Sequence, residues 1–314
     1  PDVASAVTVL TKGDDGRFGV LATSEASMNA ARMATGDFDG DGRPDLAFAA
    51  TYNGMAVMMN RGDGTFEPPV FHATAGYADF VATGRFDGDE NDDVAVVDFG
   101  IANGQVTVFL GQGNGTFVPG PSTPLLHSAG SLIASDLDLD GHSDLVTTNA
   151  CCGQPNAVAI LLGNGDGSFA TPVGYPTGPG PSSVAVVRLN SQDTFPDLVV
   201  ANSGSTSISV LINDWDGGFG PPQIVGIGWT PYRIAGGDLD YGFGDVVTVN
   251  LDTGNISFLS GTGDGGFQAP VTYPVGMYPY AIAVGNFSGG LVPDLAVGSQ
   301  FDSSVSIVRS ATLF

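Results

Sequence analysis

The residues of this chain best placed to do chemistry are aspartates at alternate positions of a short loop. Asp37-Phe38-Asp39-Gly40-Asp41-Gly42-Arg43-Pro44-Asp45 sets carboxylates at positions 1, 3, 5 and 9, with glycine at position 6. A hard cation takes six to eight oxygens, and alternate residues of a tight loop can all point inward. The glycine lets the backbone turn with positive φ. A helix–loop–helix calcium site would need glutamate at position 12. Here position 12 is Phe48, inside the short apolar run Leu46-Ala47-Phe48-Ala49-Ala50, so the loop joins strands. The same pattern returns in Asp136-Leu137-Asp138-Leu139-Asp140-Gly141-His142-Ser143-Asp144. We expect Ca2+ to be held by Asp37, Asp39, Asp41 and Asp45, and by Asp136, Asp138, Asp140 and Asp144. His142 falls at position 7, where the ligand is a backbone carbonyl, and reads as a bystander.

Four further copies are incomplete. The loop at 85 keeps Asp87, Asp89 and Asp93 but begins with Arg85, whose guanidinium could stand in for an ion. The loop at 238 keeps Asp238, Asp240 and Asp245 but is one residue short. Both are weaker candidates for calcium. The loops at 188 (Arg188, Asn190, Gln192) and 286 (Asn286, Ser288, Gly290) have too few carboxylates, and are expected to be turns held by hydrogen bonds.

For catalysis the inventory is thin. His72, His127 and His142 lie in three different repeats, and no spacing marks a nucleophile elbow or a zinc site. No glycine-rich stretch follows a strand and opens a helix. The chain reads as a non-enzyme, with a propeller-based lyase or hydrolase as the alternative. Cys151 and Cys152 are adjacent and cannot staple distant parts of a fold; a vicinal disulfide and two thiols are both open.

The elements that position the loops repeat with them. Loop starts at 37, 85, 136, 188, 238 and 286 are separated by 48, 51, 52, 50 and 48 residues. Glycine-rich turns end in Phe18, Phe66, Phe117, Phe169, Phe219 and Phe267, each 19 residues before the next loop start. A period near 50 marks a repeat architecture. Each unit has four strand-like pieces: A before the loop (Ser183–Val187), B after it (Leu198–Ala201), C alternating polar and apolar (Ser207–Ile212), and D after the phenylalanine. Turn residues punctuate β-branched runs, and no amphipathic helix stands out. Four short strands per unit is a propeller blade. The expected fold is therefore all-β, a single β-propeller domain over residues 1–314 with four-stranded antiparallel blades. Pro1-Asp2-Val3 matches the openings of strand B at Pro44, Pro196 and Pro293, and Val7-Thr8-Val9-Leu10 reads as a strand C. Seven blades, the first a clipped partial blade over residues 1–28, is the preferred count. Six, closed by the N-terminal strand D, is the alternative. The natural polypeptide is expected to extend upstream of Pro1.

These units resemble the FG-GAP (VCBS-type) repeats of integrin α-subunit propellers and many secreted bacterial proteins, over essentially the whole chain. The resemblance implies a propeller whose A–B loops bind calcium. It says less about function, because such propellers serve as adhesion proteins, lectins and appendages of enzymes.

Charge narrows the partners. The 314 residues carry 33 acids against 9 bases, a formal net charge of −24, and only three of the acids are glutamate. That balance argues against nucleic acid and anionic membranes. No apolar run reaches the length of a membrane span, so direct membrane insertion is not expected, and no signal peptide stands at the start. A secreted, periplasmic or cell-surface location is expected. Arg61-Gly62-Asp63 sits in a phenylalanine turn and reads as turn chemistry. Asn114-Gly115-Thr116, Asn255-Ile256-Ser257 and Asn286-Phe287-Ser288 are glycosylation sequons. Alternating strands put the A–B loops and C–D turns at one end, and the D–A and B–C connections at the other. Tyr77, Trp229, Tyr232, Tyr278 and Tyr280 gather in the D–A connections and suit sugar stacking or protein contact. The expectation is a calcium-stabilised binding or adhesion module that recognises a glycan or protein through those connections. The alternatives are a scaffold subunit of a larger assembly and the accessory propeller of a secreted enzyme.

Overall fold

A computed structural model describes residues 6–13, 17–99, 104–149, 156–191 and 193–310. Cys151, Cys152 and Gln192 lie outside the described residues. The chain is an all-β propeller. β1 (Ala6–Lys12) and β2 (Phe18–Glu25) form a two-stranded sheet. β3 (Ala30–Gly36), β4 (Asp45–Ala50), β5 (Gly54–Met58) and β6 (Val70–His72) form the first four-stranded blade. The second comprises β7 (Tyr77–Gly84), β8 (Asp93–Phe99), β9 (Gln105–Gly111) and β10 (Phe117–Pro124). The third comprises β11 (Ala129–Ser135), β12 (Asp144–Asn149), β13 (Ala157–Leu161) and β14 (Val173–Pro176). The fourth comprises β15 (Pro181–Val187), β16 (Asp197–Asn202), β17 (Ser207–Leu211) and β18 (Gln223–Gly226). The fifth comprises β19 (Pro231–Gly237), β20 (Asp245–Asn250), β21 (Asn255–Leu259) and β22 (Val271–Pro274). The sixth has three strands, β23 (Pro279–Gly285), β24 (Asp294–Ser299) and β25 (Ser304–Val308). Strands neighbouring in the chain pair antiparallel within each blade. No helix among the described residues is long and apolar enough to cross a membrane.

Six blades is the alternative count; the preferred count of seven, with a clipped first blade, is corrected here. The extra strand-C pattern at Val7–Leu10 does form a strand, β1, but it pairs with β2 in a sheet of their own. Alternation identifies a strand and leaves its sheet undetermined.

The chain falls into two compact units. One comprises residues 1–135, 141–145 and 161–172; the other comprises 136–140, 146–160 and 173–314. Each is held by its own packing. Strands β4, β8, β16 and β20 have two buried faces, so they read as continuous apolar runs instead of alternating ones. In the first unit, the phenylalanine that closes one blade's C–D turn packs edge-to-face on the aromatic residue at position 2 of the preceding blade's loop. Phe117 meets Phe38 with centroids 5.3 Å apart, and Phe169 meets Phe86 at 5.5 Å. In the second unit Phe267 packs into the core that holds Leu189. Burying a ring of this size contributes about 2–3 kcal/mol, and the edge-to-face geometry adds about 1 kcal/mol. The phenylalanine spacing in the sequence is the period of this contact.

One device of the first strands is absent from the sequence pattern. In five blades the pairing of strand A with strand B skips a residue. Ala30 pairs with Ala50 and Arg32 with Ala49, leaving out Ala31. Asp79, Ser182, Tyr232 and Tyr280 are left out in the same way. Each is the extra residue of a β-bulge, a feature that re-aims a side chain.

Candidate calcium loops and an aromatic site

The aspartate that ends each loop has a structural task first. Asp45 accepts the Phe38 N–H on Oδ2 at 3.0 Å and the Asn60 N–H on Oδ1 at 2.7 Å. One carboxylate thereby ties the A–B loop to the start of the C–D turn. Asp93 does the same for Phe86 (2.8 Å) and Gly111 (2.8 Å), Asp197 for Leu189 (2.9 Å) and Asn213 (3.0 Å). Asp245 joins Leu239 (2.7 Å) to Gly261 (2.9 Å), and Asp294 joins Phe287 (3.0 Å) to Ser310 (3.1 Å). All five are fully buried. Hydrogen bonds from backbone N–H groups to a carboxylate are charge-assisted and stronger than neutral ones.

The remaining aspartates form clusters. A carboxylate oxygen from each of Asp37, Asp39 and Asp41 lies within 4.8 Å of the others; the same holds for Asp87, Asp89 and Asp93, and for Asp238, Asp240 and Asp245. Asp45 feels the charges of Asp39 and Asp41 from this first group. The donors are all carboxylate oxygens, which is the set a hard divalent cation takes. The electrostatics agree. Burial, with the neighbouring Asp87 charge, drives Asp93 up to about 6 despite its backbone hydrogen bonds. Asp245 is also pushed to about 6 by burial, beside Asp240 and Asp238. Burial likewise raises Asp45 and Asp87. A bound cation would relieve both burial and mutual repulsion. The residues therefore fit Ca2+.

The loops differ in detail. In the first, Asp37 caps its own turn by accepting the N–H groups of Gly40 (2.9 Å) and Gly42 (2.9 Å). Asp41 is shared, because the Arg43 guanidinium pairs with its Oδ2. Arg85 does not enter its loop as an internal substitute for an ion. Its side chain is exposed, with Nε 3.9 Å from Asp92. The loop at 136 is divided between the units. Asp136, Asp138 and Asp140 belong to the second, where Asp138 accepts the Asp140 N–H at 3.2 Å and is raised by burial. Asp144 belongs to the first, fully buried, accepting the Gly163 N–H at 2.7 Å. The loops at 188 and 286 are hydrogen-bonded turns. Asp193 N–H donates to Asn190 Oδ1 (3.2 Å), and Gly289 N–H to Asn286 Oδ1 (2.7 Å). In Arg61-Gly62-Asp63 the carboxylate is occupied by its own turn, accepting the Thr65 N–H (2.9 Å) and hydroxyl (2.6 Å), as Asp166 does with Ser168. Those bonds hold the Asp63 carboxyl below its usual range.

Of the five aromatic candidates, the structure joins two. Tyr232 and Tyr280 are the bulge residues of β19 and β23; their rings lie 5.2 Å apart and their hydroxyls 3.3 Å apart. Arg233 stacks its guanidinium 4.4 Å over the Tyr232 ring and 5.7 Å from that of Tyr280. Its Nη1 donates to Ser182 O at 3.0 Å, and Ser182 Oγ donates to Tyr232 O at 3.0 Å. Trp229 is exposed in the turn before β19. Tyr278 precedes β23 with φ +54° and leans on Phe301, centroids 4.7 Å apart. Tyr77 belongs to the first unit, edge-on to Tyr52 at 5.5 Å, next to a cleft of about 470 Å³ lined by Tyr52, Phe71, Thr74 and Gly76. Arg233, Ser182 and Tyr52 escaped the sequence reading. The bulge that gathers the first two with Tyr232 has no residue signature of its own.

Carboxylate-rich A–B loops that could hold a cation, on antiparallel blades, define a repeat propeller. The chain carries three FG-GAP-like repeats, over residues 37–96, 85–147 and 136–191, within a β-propeller, consistent with the FG-GAP/VCBS-repeat propeller family. Among curated protein sequences none is significantly similar. Among solved structures the chain is similar to an Agrocybe aegerita lectin described by its recognition of non-reducing terminal N-acetylglucosamine. That match has 20% identity and a TM-score of 0.59, over 90% of this chain and 81% of the lectin chain. It is also similar to BBS1N in complex with ARL6DN, at 7% identity and TM-score 0.64, over 96% and 86% of the two chains. The Neurospora crassa Pan2 WD40 domain matches at 11% identity and TM-score 0.60, over 92% and 79%. At these identities the similarities establish the fold alone.

Proposed function

We propose that this propeller is a calcium-stabilised, extracytoplasmic binding module with no catalysis of its own, recognising a glycan or a protein through the strand ends that carry Tyr232 and Tyr280. The observation that carries this reading is the cluster of Tyr232, Arg233 and Tyr280. Bulges place two phenols side by side, and a guanidinium stiffens one of them by stacking. Rings with a polar rim offer a flat face for a sugar or an apolar side chain, and hydroxyls to fix its orientation. The cleft beside Tyr52 and Tyr77 supports the same reading for the first unit. The lectin similarity is consistent with a glycan, and the complex of BBS1N with a partner chain is consistent with a protein. A glycan array run with and without chelator tests the proposal. Binding by the parent, lost in Tyr280→Ala with an unchanged melting temperature, would support it. Undiminished binding by Tyr280→Ala and Tyr232→Ala would refute the assignment.

A further inference from the structure

The second unit holds large apolar side chains where this chain otherwise uses glycine. Trp215 has φ +82°. The aligned positions of four other C–D turns are Gly62, Gly113, Gly165 and Gly263, with φ of 79°, 64°, 70° and 78°. In the A–B loops, Leu139 (φ +61°) and Tyr241 (φ +63°) occupy the place of Gly40 (φ +75°) and Gly289 (φ +79°). An L residue in this conformation strains its Cβ against the following carbonyl. Burial does not explain the choice: Leu139, Trp215 and Tyr241 are 47%, 65% and 71% exposed. Strain together with exposed apolar area points from the outlier to a function.

The loops that carry the three are joined by hydrogen bonds at one end of the unit's strands. Asn213, which opens the Trp215 turn, donates Nδ2 to Leu137 O at 2.8 Å and to Pro196 O at 3.1 Å. The loop at 188 in turn accepts the Gly244 N–H on Arg188 O at 3.1 Å. Hydrogen bonds thus run from the loop of Leu139, through the turn of Trp215 and the loop at 188, to the loop of Tyr241. Each side chain also adjoins carboxylates, in Asp138-Leu139-Asp140, Asp214-Trp215-Asp216 and Asp240-Tyr241. Asp214 and Asp216 converge: a Cβ built on Gly218 would lie 2.5 Å from one Oδ1 and 2.9 Å from the other.

We propose that this loop end of the second unit, carrying Leu139, Trp215 and Tyr241, docks a basic polypeptide segment in which cationic and apolar side chains alternate. Charge complementarity selects that occupant. Apolar side chains offer anchors, Asp214 and Asp216, which belong to none of the calcium loops, meet ammonium or guanidinium groups, and the exposed indole between these two carboxylates takes a cation over its face. The chain's net charge of −24 draws the same partner in. The surface lies at the opposite strand ends from Tyr232 and Tyr280, so it stands apart from the proposed glycan or protein site.

The test uses the whole chain and fluorescein-labelled peptides of alternating arginine and leucine, with glutamate–leucine peptides and phosphatidylserine vesicles as comparisons. The expected result is saturable binding of the basic peptide only. Trp215→Gly and Tyr241→Gly should each weaken it roughly tenfold, the size of a buried aromatic anchor. Both variants keep the net charge and place glycine where glycine is already used, so the melting temperature should hold or rise. Equal affinity in Trp215→Gly would reduce the binding to bulk charge attraction and overturn the proposal. So would failure of the basic peptide to bind, or Trp215-dependent binding of the vesicles in its place.

Discussion

Asp197 holds Leu189 by a 2.9 Å hydrogen bond from the backbone N–H, in a loop that gathers no set of three carboxylates among the described residues. The closing aspartate is thus needed where no calcium cluster forms. Asp197→Ala strands two buried N–H donors, Leu189 and Asn213, and should cost about 3 kcal/mol with or without calcium. Asp39→Ala should cost stability only when calcium is present, because metal bound to the native state stabilises by mass action. Thermal melts of both variants in calcium and in EDTA separate the two roles. A calcium-dependent loss in Asp197→Ala would contradict this division of labour.

Arg43 competes with a cation for Asp41, since its guanidinium is already paired with Oδ2. Arg43→Ala should therefore tighten calcium binding by roughly two- to fivefold, the scale of an exposed ion pair. Isothermal titration calorimetry measures this, and weaker binding would show that Arg43 supports the loop instead.

Burial sets the pH response of the metal-free protein. Asp93 and Asp245 titrate near 6 when folded and near 3.8 when unfolded, so the folded state binds more protons between those values. Stability should then fall as pH rises from about 4 to about 6 in EDTA. Calcium, which needs the ionised carboxylates, should reverse the slope. Melts across that range check the sign. A metal-free curve that rises and loses nothing in Asp93→Asn and Asp245→Asn would be evidence against it.

His72 works in the opposite sense. It lies edge-on to Phe109 (5.7 Å) and Phe117 (5.5 Å), and burial lowers its pKa. A depressed histidine stabilises above its unfolded value and loses that contribution as pH falls below about 6.5. His72→Phe should remove this part of the acid sensitivity while keeping the ring contacts. An unchanged acid limb in the variant would dispose of the assignment.

The repeat period, the strand order and the loop aspartates were legible because each is written in residue type at a fixed spacing. Phe117 and Phe169 could be placed because every blade needs a ring at the same contact. The blade count was not legible, since Val7–Leu10 makes a sound strand whose partner, β2, only pairing reveals. Asp45 shows a second limit. Its spacing reads as metal ligation, and nothing in that spacing announces the second task, accepting the Phe38 and Asn60 N–H groups, a task Asp93 and Asp245 share within their carboxylate clusters. Arg85 stays outside because its exposed position beside the half-buried Asp92 costs it less desolvation than a place inside the loop. Trp215 was open to inspection, as it stands in a column of glycines, but its meaning depends on a φ that only the backbone supplies.

The bulges of the first strands have a consequence for how such a propeller can change. Ala31, Asp79, Ser182, Tyr232 and Tyr280 are each omitted from the pairing that holds strands A and B together. A mutation at these positions spares the ladder, so strand pairing does not dictate which side chain appears there, although the buried Ser182 is held by hydrogen bonds of its own. Five of the six blades thus keep one slot in which a new side chain can be tried without breaking the strand pairing. Those slots already hold a methyl group, a carboxylate, a hydroxyl and two phenols.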